Sequence, residues 1–294
     1  MKKLLKIVGI IVLIIVILVI ALAAYLIITF LRNSKIQEQD QLLMIKSDEE
    51  LLGAHIYIKR EGKDDVDVNY YFSEGESLPL VINLHGGAFI AGDADTLDTQ
   101  SDRISKSWGV NVATVNYSLL KGDMKKEYVI EEITDTVRYF IDNKDTYHVD
   151  PDNIFIMGYS AGGFYAAAST LELYHSNITI KGQILCYAFI NGIDEKFAAL
   201  PEQEKAEMAP ALFVVAKGDP LGEGSLVYEK LLRDAGVLTD SIIYEGVMHG
   251  FIEENNPEYE NLHAKNRTSK SDAAEKIARE AEDYIGNWIN TVKK

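Results

Sequence analysis

The sequence predicts an α/β domain with a mostly parallel, eight-stranded sheet and helices packed on it. Eight short runs rich in β-branched and aromatic residues are separated by longer runs with helical periodicity. The first two strands follow each other directly, and the later ones alternate with helices, which is the order of an α/β fold. The later strands are continuous apolar runs, as is typical of strands covered on both faces.

Each element can be placed along the chain. The predicted strands are residues 54–60, 66–72, 80–84, 110–117, 154–158, 182–189, 211–216 and 241–244. The predicted helices are residues 96–108, 126–143, 161–174, 225–235 and 271–292. The helix at 225–235 is expected to end at Gly236, because glycine readily adopts the left-handed conformation that closes a helix.

The N-terminal part of the chain differs from this domain. Residues 7–31 carry no charge and would measure about 37 Å as a helix, more than the roughly 30 Å of a bilayer core. A cleavable signal peptide, the alternative, has an apolar core of only about 7–15 residues. We therefore predict four segments: a cytoplasmic tail at 1–6, a transmembrane anchor at 7–31, a juxtamembrane linker at 32–50 and a globular domain at 51–294.

Basic residues around the anchor predict its orientation. Lys2, Lys3 and Lys6 precede it, and Arg32 and Lys35 follow it. The positive-inside rule counts basic residues, and three of them together with the terminal amine outweigh two. The prediction is a single-pass protein of the cell membrane, with a cytoplasmic N-terminus and the globular domain outside the cytoplasm.

Composition excludes several kinds of partner. The net charge is −16, and an acidic surface repels the phosphates of nucleic acids. Cys186 is the only cysteine, so no disulfide can form within the chain. No group of histidines, cysteines and carboxylates has the spacing of metal ligands. We therefore predict no nucleic-acid partner, no metal and no cofactor, while the oligomeric state stays open.

The clearest chemical signal lies where the fifth predicted strand ends. Residues 154–163 read Ile-Phe-Ile-Met-Gly-Tyr-Ser-Ala-Gly-Gly, a strand that runs through G-x-S-x-G into a helix. Such a sharp turn raises the serine hydroxyl above the sheet, and Gly158 and Gly162 leave room for backbone that packs closely there. The N-terminus of the following helix favours developing negative charge. Ser160 is therefore the predicted nucleophile.

A second glycine turn follows the third predicted strand. Residues 80–89 read Leu-Val-Ile-Asn-Leu-His-Gly-Gly-Ala-Phe. This segment resembles the His-Gly-Gly-Gly loop of the α/β-hydrolases. This segment and the serine turn together resemble the corresponding motifs of the hormone-sensitive-lipase-like esterases and related bacterial carboxylesterases. The resemblance covers about residues 78–252, with Ser118 standing where the family usually has arginine.

This resemblance implies a fold, an activity and an oxyanion hole. The globular domain is expected to have the α/β-hydrolase fold and to act as a serine esterase. The backbone N–H groups of Gly86, Gly87 and Ala161 are expected to stabilise the oxyanion. His85 and Ala88 are expected to position that loop.

The histidine of the triad follows the nucleophile in this fold, after an Asp or Glu. His249 lies just after the last predicted strand, in Gly-Val-Met-His-Gly-Phe, and resembles the family's histidine loop. His175, at the end of the helix after the nucleophile, and His263, in a polar stretch, are the alternatives. We predict that His249 is the general base.

The acid of the triad is predicted to be Asp219. It follows the strand at 211–216, within Lys-Gly-Asp-Pro, at the end of the strand where this fold places catalytic groups. Asp194 and Glu195 follow an earlier strand and are the alternatives. In the predicted mechanism, the histidine deprotonates the serine and the aspartate orients the imidazole.

The segment before the seventh strand bears on the substrate. Only about twenty residues separate Phe189 from Ala211, which is too few for a bulky helical lid. An open site suits short-chain esters, acetyl esters above all, on a small molecule or on a glycan. The alternatives are a serine peptidase on the same fold and a catalytically inactive binding protein.

Overall fold

The computed structural model describes residues 51–256 and 271–293, together with Tyr25. The chain divides into two units, 1–43 and 44–294, and the elements given below belong to the second. The predicted anchor at 7–31, apart from Tyr25, and the linker at 32–50 lie outside the described residues. Within the described ranges, no helix combines the length and the apolar character needed to cross a membrane.

Eight strands form one sheet in the described part of the chain. They are β1 (Ala54–Ile58), β2 (Val66–Tyr71), β3 (Leu78–Leu84), β4 (Asn111–Asn116), β5 (Val149–Tyr159), β6 (Gly182–Cys186), β7 (Ala211–Ala216) and β8 (Thr239–Tyr244). Their order across the sheet is β1-β2-β4-β3-β5-β6-β7-β8. Strand β2 is antiparallel to both of its neighbours, and all other pairs are parallel. The predicted eight-stranded, mostly parallel sheet is confirmed.

Helices connect and follow the parallel strands. They are α1 (Asp98–Trp108), α2 (Lys126–Asp142), α3 (Lys144–Tyr147), α4 (Ala161–His175), α5 (Ile193–Ala198), α6 (Glu202–Ala206), α7 (Pro220–Asp234) and α8 (Asp272–Val292). Two short 3₁₀ helices lie at Ala94–Leu97 and Glu253–Asn255.

The structure differs from the predicted elements where local periodicity is weak. Helices α3, α5 and α6 are only four to six residues long, which is too short for a periodic pattern to show. Helix α7 begins at Pro220, five positions before the prediction. Asp219 caps it by accepting the N–H of Leu221, and proline fits the first helical position because its missing N–H is not needed there.

Two apolar cores cover the two faces of the sheet. Helices α2, α4 and α7 contribute to one core, and α1 and α8 contribute to the other. Alternate residues of β3 enter different cores: Leu80 and Ile82 the first, Val81 the second. Burial on both faces explains why these strands read as continuous apolar runs.

The sheet brings the predicted site residues to one edge. Strand β5 lies in its middle, between β3 and β6. Because β3 and β5 to β8 are parallel, their carboxyl ends meet at the same edge, where this class of fold places its sites. The loops that follow these strands carry the serine turn, the glycine turn and the predicted triad partners.

Candidate active site

Ser160 lies on the sharp turn between β5 and α4. Its backbone has φ 52° and ψ −112°, a strained conformation for a residue other than glycine. A Cβ at Gly158 would lie 2.1 Å from the carbonyl oxygen of Gly162, and one at Gly162 would lie 2.3 Å from the carbonyl oxygen that ends β3. The main chain of Ser160 donates to Cys186 O at 3.0 Å and accepts from Phe189 N at 3.1 Å. Both glycines are thus required by close backbone packing, and the strained turn is held on both sides.

The structure brings Ser160, His249 and Asp219 into one hydrogen-bonded relay. His249 Nε2 lies 2.9 Å from Ser160 Oγ, and His249 Nδ1 lies 2.7 Å from Asp219 Oδ2. The Asp219 side chain is buried, whereas that of His249 is 36% exposed. With Nδ1–H donating to the carboxylate, Nε2 is left to accept the serine proton.

The alternative triad residues lie elsewhere. The half-exposed His175 ends α4, with its Nε2 4.0 Å from Glu204. Asp194 Oδ1 accepts the N–H of Gly192 at the start of α5, the helix that also contains Glu195. His263 lies outside the described residues. The relay is therefore formed by the three residues that the sequence favours.

In the glycine turn after β3, one of the predicted oxyanion donors is already bonded to another residue. The N–H of Gly86 donates to Glu253 Oε1 at 2.7 Å, so it is not available to an oxyanion. Within the described residues, the N–H groups of Gly87, Ala88 and Ala161 form no hydrogen bond. The assignment of Gly86 as a donor therefore does not fit the structure, and Ala88, expected only to position the loop, offers an N–H in its place.

His85 is placed to hold this loop. Its buried ring stacks on Tyr117, with centroids 4.1 Å apart, and the Tyr117 hydroxyl donates to His85 O at 2.6 Å. His85 Nδ1–H donates to Gly86 O at 2.7 Å. Burial lowers the pKa of His85 to about 4, so the ring is neutral near pH 7. These contacts fit the expected positioning role.

Three phenylalanines and a lysine pack beside the serine turn. The Lys126 Nζ lies 3.9 Å from the ring centroid of Phe89 and 4.2 Å from that of Phe164. The edge of Phe189 meets Phe89, with centroids 5.6 Å apart. The N–H groups of Phe164 and Phe189 both donate to Ser160 O. Two members of this aromatic cluster are therefore tied to the nucleophile's residue through the backbone.

A wide groove lies apart from the relay. It has a volume of about 1250 Å³ and runs between α2, α4 and α5. None of the three relay residues lines it. Its apolar floor is formed by Ile130, Ala168, Leu171, Ala199 and Leu200.

Two residues near the relay carried no signal in the sequence. Tyr187 follows β6, and its ring meets His249 edge-on with centroids 5.1 Å apart. Glu253 lies in a polar stretch four positions after His249, yet its side chain is buried. An acidic residue in a polar segment gives no hint of burial, so only the tertiary contacts reveal it.

Comparison with known proteins finds relatives of this domain. The family model described as the alpha/beta hydrolase fold matches residues 81–207 and 191–253. Ethyl acetate hydrolase of Pseudomonas putida is 24% identical over 209 residues, which are 58% of this chain and 65% of that protein. Arylesterase of Saccharolobus solfataricus is 26% identical over 209 residues, 59% of this chain and 68% of that one. The chain thus spans about two thirds of the length of these relatives.

Solved structures share the fold. A thermostable carboxylesterase cloned from a metagenomic library superimposes with a TM-score of 0.69 at 24% identity, covering 89% of this chain and 96% of that one. An esterase from Pyrobaculum calidifontis superimposes with a TM-score of 0.64 at 24% identity, covering 86% and 92%. At this identity the similarity shows the fold alone.

Proposed function

This chain belongs to the α/β-hydrolase family, and on that premise we propose that it is a serine carboxylesterase acting on short-chain esters, acetyl esters above all. The observation that carries this proposal is the relay from Ser160 through His249 to Asp219, with contacts of 2.9 and 2.7 Å. A serine that can pass its proton directly to an oriented histidine is an activated nucleophile. An intact relay also argues against an inactive binding protein.

The mechanism follows from the positions of these groups. As Ser160 Oγ attacks the ester carbonyl, His249 accepts its proton, and buried Asp219 stabilises the imidazolium. The N–H groups of Gly87, Ala88 and Ala161 are the candidate donors to the oxyanion. Each donor of this kind contributes roughly 3–4 kcal/mol. The imidazolium then protonates the leaving alcohol, and water attacks the acyl-enzyme by the reverse sequence.

Two observations support a small acyl group. Phe89, Phe164 and Phe189, whose rings pack against Lys126, lie on the segments that adjoin the oxyanion loop and Ser160. Bulky rings on these segments favour a small acyl group. Two relatives are named for hydrolysis of ethyl acetate and acetyl esters. The alcohol part is proposed to be a small molecule, and a glycan carrying acetyl groups is the second candidate.

Activity assays on the full chain in detergent test this proposal. We expect turnover of p-nitrophenyl acetate that falls as the acyl chain lengthens, no turnover of peptide p-nitroanilides, and no activity in Ser160→Ala. Release of acetate from an acetylated polysaccharide tests the glycan candidate. Faster cleavage of the anilides would favour a peptidase, and equal rates for the wild type and Ser160→Ala would favour an inactive binding protein.

We also propose that the protein is anchored in the cell membrane by residues 7–31, with the esterase domain outside the cytoplasm. The support is the uncharged apolar run and its basic flanks. The expected result is that the protein stays in the membrane fraction after an alkaline carbonate wash, whereas a variant lacking residues 1–32 is released. Protease added to intact spheroplasts should digest the domain. Protection from the protease would reverse the proposed orientation.

A further inference from the structure

Glu253 is a buried carboxyl group in contact with the oxyanion loop. Glu253 is 4% exposed, and its Oε1 accepts a hydrogen bond from the N–H of Gly86 at 2.7 Å. The two residues are 167 positions apart in the chain. Burying a carboxyl group is costly unless it is paired or hydrogen-bonded, so the contact with the loop compensates part of this cost.

Tyr187 links Glu253 to the histidine of the relay. Glu253 Oε2 lies 3.4 Å from the Tyr187 hydroxyl, which is also 3.4 Å from the Glu253 N–H. The ring of Tyr187 meets His249 edge-on. Glu253 thus connects the loop after β3, the residue after β6 and the histidine loop after β8.

The first glycine of the turn is shaped to this carboxyl group. A Cβ at Gly86 would lie 2.9 Å from Glu253 Oε2 and 3.1 Å from Oε1. Gly86 does not have a positive φ, in contrast to Gly87. Glycine is therefore required at position 86 by the approach of Glu253 and not by the backbone conformation.

We propose that Glu253 is a positioning residue of the oxyanion hole, which acts by holding the N–H of Gly86. Holding that N–H fixes the orientation of the peptide groups that follow it. The N–H groups of Gly87 and Ala88 then stay directed at the reacting carbonyl. This inference rests on the proposed esterase function. It assigns to Glu253 no contact with the substrate.

The charge of Glu253 gives this role a signature in the pH profile. The pKa of Glu253 is raised to about 8, mainly by burial and also by the nearby charge of Glu254. The hydrogen bond from the Gly86 N–H acts in the opposite direction. The phenol and thiol groups around it stay neutral in this range, because burial also raises the pKa values of Tyr159, Cys186 and Tyr187. A negative charge behind the loop opposes an oxyanion in front of it. The rate should therefore fall as the pH rises through about 8.

Two substitutions and a matched control test the proposal. Glu253→Ala removes the acceptor, whereas Glu253→Gln keeps an acceptor oxygen and removes the charge. Glu132→Ala is the control, because Glu132 is also buried and its carboxylate accepts the N–H of Ser118 at 2.8 Å. Among the described residues, Glu132 forms no hydrogen bond or ion pair with a residue of the relay. The kcat and KM for p-nitrophenyl acetate are measured in the full chain from pH 6 to 9.5, with Ser160→Ala as the background.

We expect Glu253→Ala to lower kcat by about 10- to 100-fold with little change in KM, as for a displaced catalytic group. Glu132→Ala should lower the melting temperature without this loss of kcat. Glu253→Gln should retain kcat at pH 7 and lack the fall above pH 8. An alkaline fall that persists in Glu253→Gln would overturn the proposal, as would equal kcat values for Glu253→Ala and Glu132→Ala. If Glu253→Ala does not fold, the pH profile of Glu253→Gln decides alone.

The same variants separate this proposal from the esterase assignment. If the wild type does not hydrolyse the ester, the proposed function fails. The rate at which a fluorophosphonate labels Ser160 still depends on the oxyanion donors and not on ester preference. Slower labelling in Glu253→Ala than in Glu132→Ala would support the positioning role, and equal labelling would overturn it.

Discussion

Ser160, Ala88 and Phe89 share an unusual backbone conformation at the residue scale. All three have a positive φ, of 52°, 52° and 70°, which costs an L-residue roughly 1–2 kcal/mol. Ser160 gains from it a hydroxyl that reaches His249. Such strain is often found at functional sites, and here two of the strained residues lie in the loop after β3 and the third is the predicted nucleophile.

The carboxylate of Asp219 should matter far more for rate than for folding. Asp219→Asn keeps the size of the side chain but favours the wrong imidazole tautomer in His249, so we expect kcat to fall by about 10⁴-fold. Asp194→Asn is the matched control, because within the described part of the chain Asp194 bonds a single neighbouring backbone N–H, that of Gly192. The kcat for ester hydrolysis is measured for both variants. A loss of similar size in Asp194→Asn would contradict the assignment.

Ala88 stands where the family usually has glycine, and it retains the strain. Ala88→Gly should stabilise the protein by about 1 kcal/mol, because glycine adopts the left-handed conformation without the steric cost. Ala91→Gly is the control, since Ala91 lies in the same loop without a positive φ and should be destabilised. Urea unfolding at equilibrium measures both changes. A destabilised Ala88→Gly variant would show that the methyl group makes compensating contacts.

At the element scale, Gly162 of α4 lies against the sheet, whereas Gly224 of α7 is exposed. In α4, a Cβ at Gly162 would meet backbone oxygen of β3 at 2.3 Å, whereas in α7 a Cβ at Gly224 would meet nothing within 4 Å. Helix α4 is buried along most of its length, and its N-terminus lies at the nucleophile. The helix that carries the serine turn therefore has its distance from the sheet set by glycine.

This contrast predicts opposite effects of one substitution in two helices. Gly162→Ala should destabilise the protein by several kcal/mol, since overpacking against backbone costs about 1–3 kcal/mol or more, and should lower ester hydrolysis. Gly224→Ala should stabilise it by about 1 kcal/mol through helix propensity alone and leave the rate unchanged. Thermal unfolding compares the two. Equal effects would mean that α4 can move away from β3.

At the scale of the whole molecule, two buried groups make stability depend on pH in opposite directions. Burial lowers the pKa of His85 from 6.5 to about 4, so its contribution is lost as the pH falls through that window. Burial raises the pKa of Glu253 from 4.5 to about 8, so its contribution is present below 4.5 and is lost as the pH rises to about 8. Both groups bond Gly86 in the loop after β3.

Glu253→Gln should therefore gain stability over the wild type as the pH rises from about 4.5 to 8. The full difference is on the order of 4–5 kcal/mol, from the size of the pKa shift. Urea unfolding of both proteins at pH 5 and pH 8.5 measures it, with Glu254→Gln, one position along the chain, as the control. A stability difference that is the same at both pH values would contradict the raised pKa of Glu253.

Much of this protein can be predicted from local sequence. Eight strands, the longer helices and the serine turn follow from periodicity and glycine spacing, because these patterns express contacts between residues close in the chain. The order of serine, aspartate and histidine at strand ends allowed Ser160, Asp219 and His249 to be selected. The anchor at 7–31 is likewise a prediction from local composition, and apart from Tyr25 it lies outside the described residues.

Only the tertiary structure decided how the oxyanion loop is held. The motif predicts Gly86 as a donor and carries no information on Glu253, the residue 167 positions away that binds this N–H. The short helices α3, α5 and α6 were also missed, since a single turn has no period to detect. A motif specifies which backbone N–H groups exist in a turn. Which of them face the substrate depends on buried partners that approach from distant parts of the chain, and local patterns do not record them.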